Sequence, residues 1–459
     1  MQGAQMRIER FVETNNLLYS YEQAGFRKRE ECVGQVVSLV DIIQRRQNAG
    51  LNTHVLFIDI RKASIQSQLV HCYGSCRTWD SHRRTLAFLK ALYTSFICSS
   101  TGRINVIGPI PSYREVSDRD VHCLDFLFNL FINDILDGVA PITVPGLPRD
   151  TNPIRGLMYA DDVAVFADSE QSLLAVSTAI EQWANQWEME FGVAKCGIIS
   201  FTGHLAPRLD SPLDIRLHGQ LVSRVESYKY LGVLIDSKLD HSAWLKQKRS
   251  ALEHTISALH PVLANHQLTV NYRSRIFSAV VMGKAYYGLE LVGGNKSHLA
   301  PLQTTINKGI RMFTGARLST AIGPLLVETG IGSLLTRSLV SRVRLLERSV
   351  TKRTPINAIC SSTDNDVFTL NVQGQLVRSQ RWFWSRRTKQ LYRNRYWLTP
   401  QIRPKTVKQR HSFALMETLR TCGDSASLQK YVTRQLLDTA GFFKDPSFRS
   451  ITKHMAQDI

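Results

Sequence analysis

Two short apolar runs, residues 157–160 and 163–167, enclose a pair of adjacent aspartates in "GLMYADDVAVFAD" (156–168), and this arrangement leaves few folds open. Each run is short and β-prone enough to be a strand, so Asp161 and Asp162 are expected in the turn of a hairpin. Aspartate suits a turn, and a solvated Asp-Asp turn without chemistry is the plain reading. The other reading needs a cation, because adjacent carboxylates repel and raise each other's pKa unless something neutralises them. Hard divalent ions take one or two carboxylates together with substrate phosphates. A third carboxylate would complete such a site, and "HVLFIDIRKA" (54–63) offers one: an apolar run over 55–58 ends on Asp59 and is followed by Arg61 and Lys62.

The surrounding pattern is that of an α/β chain followed by helices. Residues 7–50 read as two amphipathic helices, "IERFVETNNLL" and "CVGQVVSLVDIIQRRQ", the second stopped by Asn48, Ala49 and Gly50. Residues 51–203 alternate strand and helix, including the helix "SLLAVSTAIEQWANQW" (172–187) after the hairpin. The turn-rich "GHLAPRLDSP" (203–212) breaks the pattern, and 241–290 read as helical, as do "HLAPLQTTINKGIRMFTG" and "SLLTRSLVSRVRLLERSV" beyond. In "RSQRWFWSRRTKQLYRNRYW" (378–397) arginine alternates with aromatics. That composition suits base stacking and phosphate contact. It suits equally an amphipathic helix with its aromatics packed inward, the reading preferred here.

A net charge of +19 and a pI of about 9.7 favour a polyanionic partner. The 57 lysines and arginines are spread through a chain that is 43% hydrophobic, which implies a basic cleft rather than a basic tail. The eight cysteines form no regular framework, no signal peptide opens the chain, and no apolar run reaches the roughly 18 residues of a membrane span. Free thiols in a reducing compartment, cytoplasm or nucleus, are therefore expected, without membrane attachment. Cys72 with Cys76 or His71 lacks the second pair that a zinc site needs.

The strand ending on Asp59 and the Tyr159-Ala160-Asp161-Asp162 box together resemble the palm of a reverse transcriptase of the non-LTR (LINE-type) retrotransposons. Four further stretches agree in order. "EQAGFRKREECVGQ" (22–35) resembles that family's fingers motif, and "FLFNLFINDIL" (126–136) the helix after its template-gripping loop. "AKCGIISF" (194–201) resembles its lysine-bearing palm motif, and "YKYLGVLID" (228–236) its primer-side hairpin. The resemblance implies a polymerase right-hand fold. Partial fingers would occupy 1–50, an antiparallel palm 51–203, the primer-side hairpin and thumb 204–300, and a helical basic region 301–459.

The activity implied is RNA-directed DNA polymerisation by two-metal nucleotidyl transfer, with two Mg²⁺ ions (Mn²⁺ as a substitute), an RNA template, a DNA primer and deoxynucleoside triphosphates as partners. The resemblance makes Asp59 and Asp161 the bridging metal ligands and Asp162 a weaker one. Lys195 falls where the family carries a lysine that protonates pyrophosphate; a solvated loop lysine is the alternative. Ile60, Tyr159 and Ala160 are the implied cofactor-binding positions, and the backbone around Tyr230, Leu231 and Gly232 the implied primer contact. The chain is expected to begin partway through the fingers, without the family's upstream arginine-bearing segment. A group II intron maturase has a similar palm, but its characteristic segment after the thumb is not identified here.

Two departures accompany these agreements. Where the family has a "KAFD" or "KAYD" run whose aromatic excludes ribose, this chain has "KASIQSQ", with Ser64 at the gate. Where the family has "GVRQGCPLSP", this chain has "REVSDRDVHCLDF". Both have one explanation in codons. A permitted back-translation of "EVSDRDVHCL" (115–124), read one frame over, gives GVRQGCPLS. The same operation on 64–68 gives D, T, V, P, and on "HCYGSCRTWD" (71–80) gives L-L-W-K-L-x-H-L-G. Compensated frameshifts would make 64–84 and 113–125 foreign polypeptide inside a genuine palm. The expectation is a polymerase domain of impaired activity, with a catalytically inactive nucleic-acid-binding remnant as the alternative.

Overall fold

The computed structural model describes residues 21–27, 30–60, 129, 132–148, 153–187, 189–203, 211–292, 296–349, 351–362, 368–370, 376–378 and 384–394. The expected helix "IERFVETNNLL" (8–18), Ser64, the stretches 64–84 and 113–125, and Cys72 with Cys76 and His71 lie outside the described residues. The described residues fall into two units, one drawn from 1–231, 236–238 and 351–381, the other from 232–235, 239–350 and 382–459.

The first unit is built on helix α1 (Cys32–Asn48) and a four-stranded antiparallel sheet of order β2-β3-β1-β4. The strands are β1 (Thr53–Asp59), β2 (Gly156–Tyr159), β3 (Asp162–Ala167) and β4 (Gly197–Phe201). Side chains alternate across a strand, so Leu56 and Ile58 face one side with Val163 and Val165. There they meet Leu173, Val176 and Ile180 from helix α2 (Glu170–Gln186). Each such fully buried side chain contributes on the order of 1.5–3 kcal/mol. Helix α2 starts two residues before the expected stretch 172–187, because the Ser169 hydroxyl caps it by accepting from the Ser172 amide at 3.1 Å.

The sequence pattern places both aspartates in the hairpin turn, and here the structure differs by one residue. Tyr159 pairs with Asp162, so the turn is Ala160-Asp161 and Asp162 opens β3. A two-residue hairpin matches strand twist, which moves the turn by one position. Along 126–136 the described residues are helical at Asn129 and then form only a 3₁₀ turn, Ile132–Asp134, rather than one continuing helix. Asp134 instead accepts from the Trp183 indole at 2.8 Å, tying this turn to α2.

Helix α1 is buried on nearly all sides, charged residues included. Arg45 donates to Asp41 at 2.5 Å, to the Gly146 carbonyl at 3.1 Å and to the Ser362 hydroxyl at 2.8 Å. Arg46 donates to the Thr53 hydroxyl and the Asn52 carbonyl. The segment from 351 to 381 thus returns to this unit, where Lys352 pairs with Glu30 at 3.2 Å and the helix Pro355–Ser361 packs on α1. Strands β5 (Arg216–Leu217) and β6 (Gln220–Leu221) form a small hairpin. It is anchored through Glu170, which accepts from Arg224 at 3.0 and 2.5 Å and from the Leu213 amide at 3.1 Å. Strands β7 (Ser227–Tyr230) and β8 (Val233–Asp236) form a further two-stranded sheet, turned at Leu231 and Gly232; the division between the units runs through it.

The second unit is helical, as its periodicity predicts. Its main helices are α3 (Ser242–Ala258), α4 (Val270–Phe277), α5 (Lys296–Thr314), α6 (Leu334–Ser349) and α7 (Trp384–Asn394). Helix α5 buries Leu299, Leu302, Ile306, Ile310 and Phe313 on one stripe, and Phe313 meets Phe277 at 5.1 Å between ring centroids. Trp384 packs inward, as preferred for the aromatic-rich segment: its indole donates to the Glu290 carbonyl, and the Arg342 guanidinium lies 5.0 Å from its ring. Among the described residues no helix is long and apolar enough to cross a membrane, and Cys32, Cys196 and Cys360 are free thiols.

Candidate active site

The register between β1 and β3 sets Asp59 directly opposite Asp162. Directly opposed residues in an antiparallel pair have Cβ atoms about 4.5–5.5 Å apart on one face, where like charges destabilise each other. Both acids are half-buried, and the turn, through its exposed second residue, puts Asp161 next to them. Burial first, then Asp161, then Asp59 raise the Asp162 carboxyl from its ordinary 3.8 to about 6. A carboxylate pair left in this state is short of positive charge.

One cation of the chain partly meets that need. Lys195 ends the 3₁₀ turn Val193–Lys195, and its Nζ stands 3.5 Å from Asp59 Oδ2 while the side chain is 76% exposed. Gly192 lets this turn lie close to the acid. Its amide donates to the Asp59 carbonyl at 2.8 Å, and a Cβ at Gly192 would come within 2.4 Å of Asp59 Oδ2. Behind the acid, the Asp59 amide donates to Cys196 Sγ at 3.5 Å, and burial raises the Cys196 thiol.

On the same face of β1, two residues before Asp59, Phe57 carries Tyr228 stacked at 4.3 Å with 9° between the rings, and Tyr230 tilted at 5.5 Å. The Tyr228 hydroxyl donates to the Lys195 carbonyl at 2.9 Å, joining β7 to the lysine turn. Burial raises both phenols, and Asp162 adds to the shift of each. Tyr230 is 1% exposed. Leu231 and Gly232 turn at positive φ, 45° and 77°.

The remaining expected positions are distributed differently. Tyr159 is half-buried at the end of β2. Ala160 is buried at φ 55°, whereas Ile60 packs its side chain into the core and bridges to Phe191. Asp59, Asp162 and Lys195 are brought together by pairing and by the 3.5 Å contact, with Asp161 adjacent in the turn. Among the described residues no three His, Cys, Asp or Glu side chains are arranged to hold a metal ion by themselves. The donor set still fits a hard divalent ion that completes its shell with phosphate oxygens, since one or two carboxylates suffice for Mg²⁺ in such sites. Gly192, Cys196 and Tyr228 were not singled out in the sequence, where nothing distinguishes them from other loop and strand residues.

Residues 126–235 match the family model described as reverse transcriptase (RNA-dependent DNA polymerase). The chain is 28% identical over 198 residues to the RNA-directed DNA polymerase from mobile element jockey of Drosophila melanogaster, a match covering 41% of this chain and 21% of that protein. It is 26% identical over 166 residues to the jockey polymerase of Drosophila funebris, covering 34% and 18%. A third relative, the "Probable RNA-directed DNA polymerase from transposon X-element" of Drosophila melanogaster, is 25% identical over 336 residues, covering 68% of this chain and 33% of the other. The matched part thus spans about a fifth to a third of the length of these relatives.

Proposed function

We propose that this chain, which carries a reverse transcriptase domain of the non-LTR retrotransposon kind, extends a DNA primer on an RNA template. The observation that carries the reading is the cross-strand pairing of Asp59 with Asp162, beside a turn that adds Asp161 and a lysine 3.5 Å away. Opposed acids on a strand pair cost stability unless they have a cationic task.

In this reading residues 51–203 are the palm, α1 belongs to the fingers, and the thumb follows β8. The reaction joins the primer 3′-oxygen to the α-phosphorus of the incoming nucleotide while the bond to the β-phosphate breaks and pyrophosphate leaves. Asp59, Asp161 and Asp162 would hold divalent ions, two in the full reaction. When bound, Mg²⁺ supplies Lewis-acid polarisation of hydroxyl and phosphate oxygens. Asp59 and Asp162 hold their position through the ladder, and the neighbouring Lys195 ammonium is the donor we assign to the leaving pyrophosphate. Because Tyr230 is buried against Phe57, primer contact at Tyr230, Leu231 and Gly232 falls to the backbone. Tyr159, Ala160 and Ile60 frame the nucleotide side.

The substituted runs at 64–68 and 115–124 favour low activity, with an inactive nucleic-acid-binding remnant as the second reading. Primer extension on an RNA template with Mg²⁺ or Mn²⁺ tests both. Restoring "KAFDTVP" after Arg61 and "GVRQGCPLSP" before Leu127 is expected to raise extension, and Asp161→Asn to abolish the gain, because an amide brings no charge to the ion. A folded, repaired chain that still extends nothing favours the remnant.

A further inference from the structure

The turn that presents Asp161 and Asp162 has its first central residue, Ala160, at φ 55°. That is the position for which a two-residue hairpin with one positive φ normally uses glycine. An alanine stays there only if its surroundings hold it. What holds it is a segment more than a hundred residues away in sequence. Residues 22–24 run alongside β2: the Met158 amide donates to the Glu22 carbonyl and the Ala24 amide to the Met158 carbonyl, both at 2.9 Å. From this segment the buried Gln23 turns its Oε1 to the turn, accepting from the Ala160 amide at 3.2 Å and from the Gly25 amide at 2.7 Å.

The fit leaves no slack. A Cβ at Gly25 would stand 2.2 Å from the Ala160 nitrogen. Two further amide side chains clamp the segment. Gln35 of α1 donates to the Glu22 and Met158 carbonyls at 2.9 and 3.0 Å, and Asn129 donates to the Gly25 carbonyl at 2.5 Å. Gln23 Nε2 is buried and finds no partner among the described residues, so the side chain is held there by its oxygen.

From this geometry we infer that Gln23 is a positioning residue for the carboxylate pair: its carboxamide oxygen fixes the Ala160 amide, and with it the direction in which Asp161 and Asp162 leave the turn. The inference rests on the reading of Asp59, Asp161 and Asp162 as metal ligands given above. It adds a residue that touches neither metal nor substrate.

Mn²⁺ binding to the full chain, followed by electron paramagnetic resonance, separates the two claims. Asp161→Asn is expected to abolish binding; binding that survives it, or a wild-type chain that binds none, would overturn the site reading and this inference together. Gln23→Met keeps the volume and removes the acceptor, and should weaken Mn²⁺ binding about tenfold or more, as loss of an outer-shell partner does. Adding Ala160→Gly to that variant should restore most of the affinity, because glycine adopts the turn unaided. A purely structural Gln23 would not be rescued in this way. With Asp161→Asn behaving as expected, wild-type affinity in Gln23→Met, or no rescue by Ala160→Gly, would overturn the positioning role alone. Should Gln23→Met fail to fold, Gln23→Glu decides by hydrogen exchange. It keeps acceptor oxygens, so the Ala160 amide must stay protected, and rapid exchange there refutes the inference.

Discussion

Burial, Asp161 and Asp59 together carry the Asp162 carboxyl from 3.8 to about 6, and that shift has a stability consequence in metal-free buffer. Between these values Asp162 binds more protons in the folded chain than in the unfolded one, so its contribution to stability is full below about pH 4 and is lost as pH rises through about 6. Asp162→Asn is therefore expected to raise the unfolding midpoint at pH 7.5 in EDTA. After discounting for solvent screening the gain is on the order of 1 kcal/mol. The gain should fade toward pH 4, and equal midpoints at pH 7.5 would contradict the assignment. Gly192→Ala makes a second test, since its Cβ would intrude on Asp59 Oδ2. It should displace the carboxylate and cost about 1–3 kcal/mol, as overpacking does, together with Mn²⁺ affinity; a variant that binds Mn²⁺ normally would show that Asp59 has room to move. Of the four charged residues of the candidate site, the aspartates stood out because adjacent acids at strand ends suggest a cation, and Lys195 only through the family resemblance. Gln23, Gly25 and Gly192 did not, because what each does depends on a partner distant in sequence, and a glycine admitting a carboxylate looks like any loop glycine.

Among strands and helices, hydrophobic periodicity located β1, α1, α2, α5 and α6 to within a residue or two, whereas α4 starts at Val270, four residues before the expected stretch, and the helix Ile322–Glu328 was not expected. The placing of Asp162 in the turn arose because alternating apolar residues say where a strand lies but not which residue pairs first across a hairpin. The interior of α1 was also beyond its reach. An amphipathic reading puts Asp41, Arg45 and Arg46 on a solvated face, whereas all three are buried and partnered through other segments. Removing one member of such a buried pair leaves the other charge uncompensated and costs about 3–5 kcal/mol. Arg45→Ala is accordingly expected to strip hydrogen-exchange protection from Cys32–Asn48. Unchanged protection there would mean that the apolar face of the helix suffices.

Over the whole chain, the first unit is discontinuous in sequence, closing only when Lys352, Thr354 and Ser362 reach Glu30 and Arg45. A chain ending at 394 is expected to keep α1 protected from exchange, and one ending at 350 to lose that protection; equal protection in both would show that 351–362 is dispensable. Nothing in the sequence announced this return, since "TKRTPINAICS" (351–361) carries no signal naming its partner. The return also sets an order in time. A ribosome adding about 5–20 residues per second takes roughly 15–60 s to pass from β1 to the segment that completes the unit. Throughout that interval the acid-bearing sheet belongs to an unfinished unit, and by its end the helices of 239–350 have been made while α7, which the second unit still lacks, has not. The two units are thus interleaved in time as well as in sequence: the one begun first is also closed first, yet only after most of the other has been made.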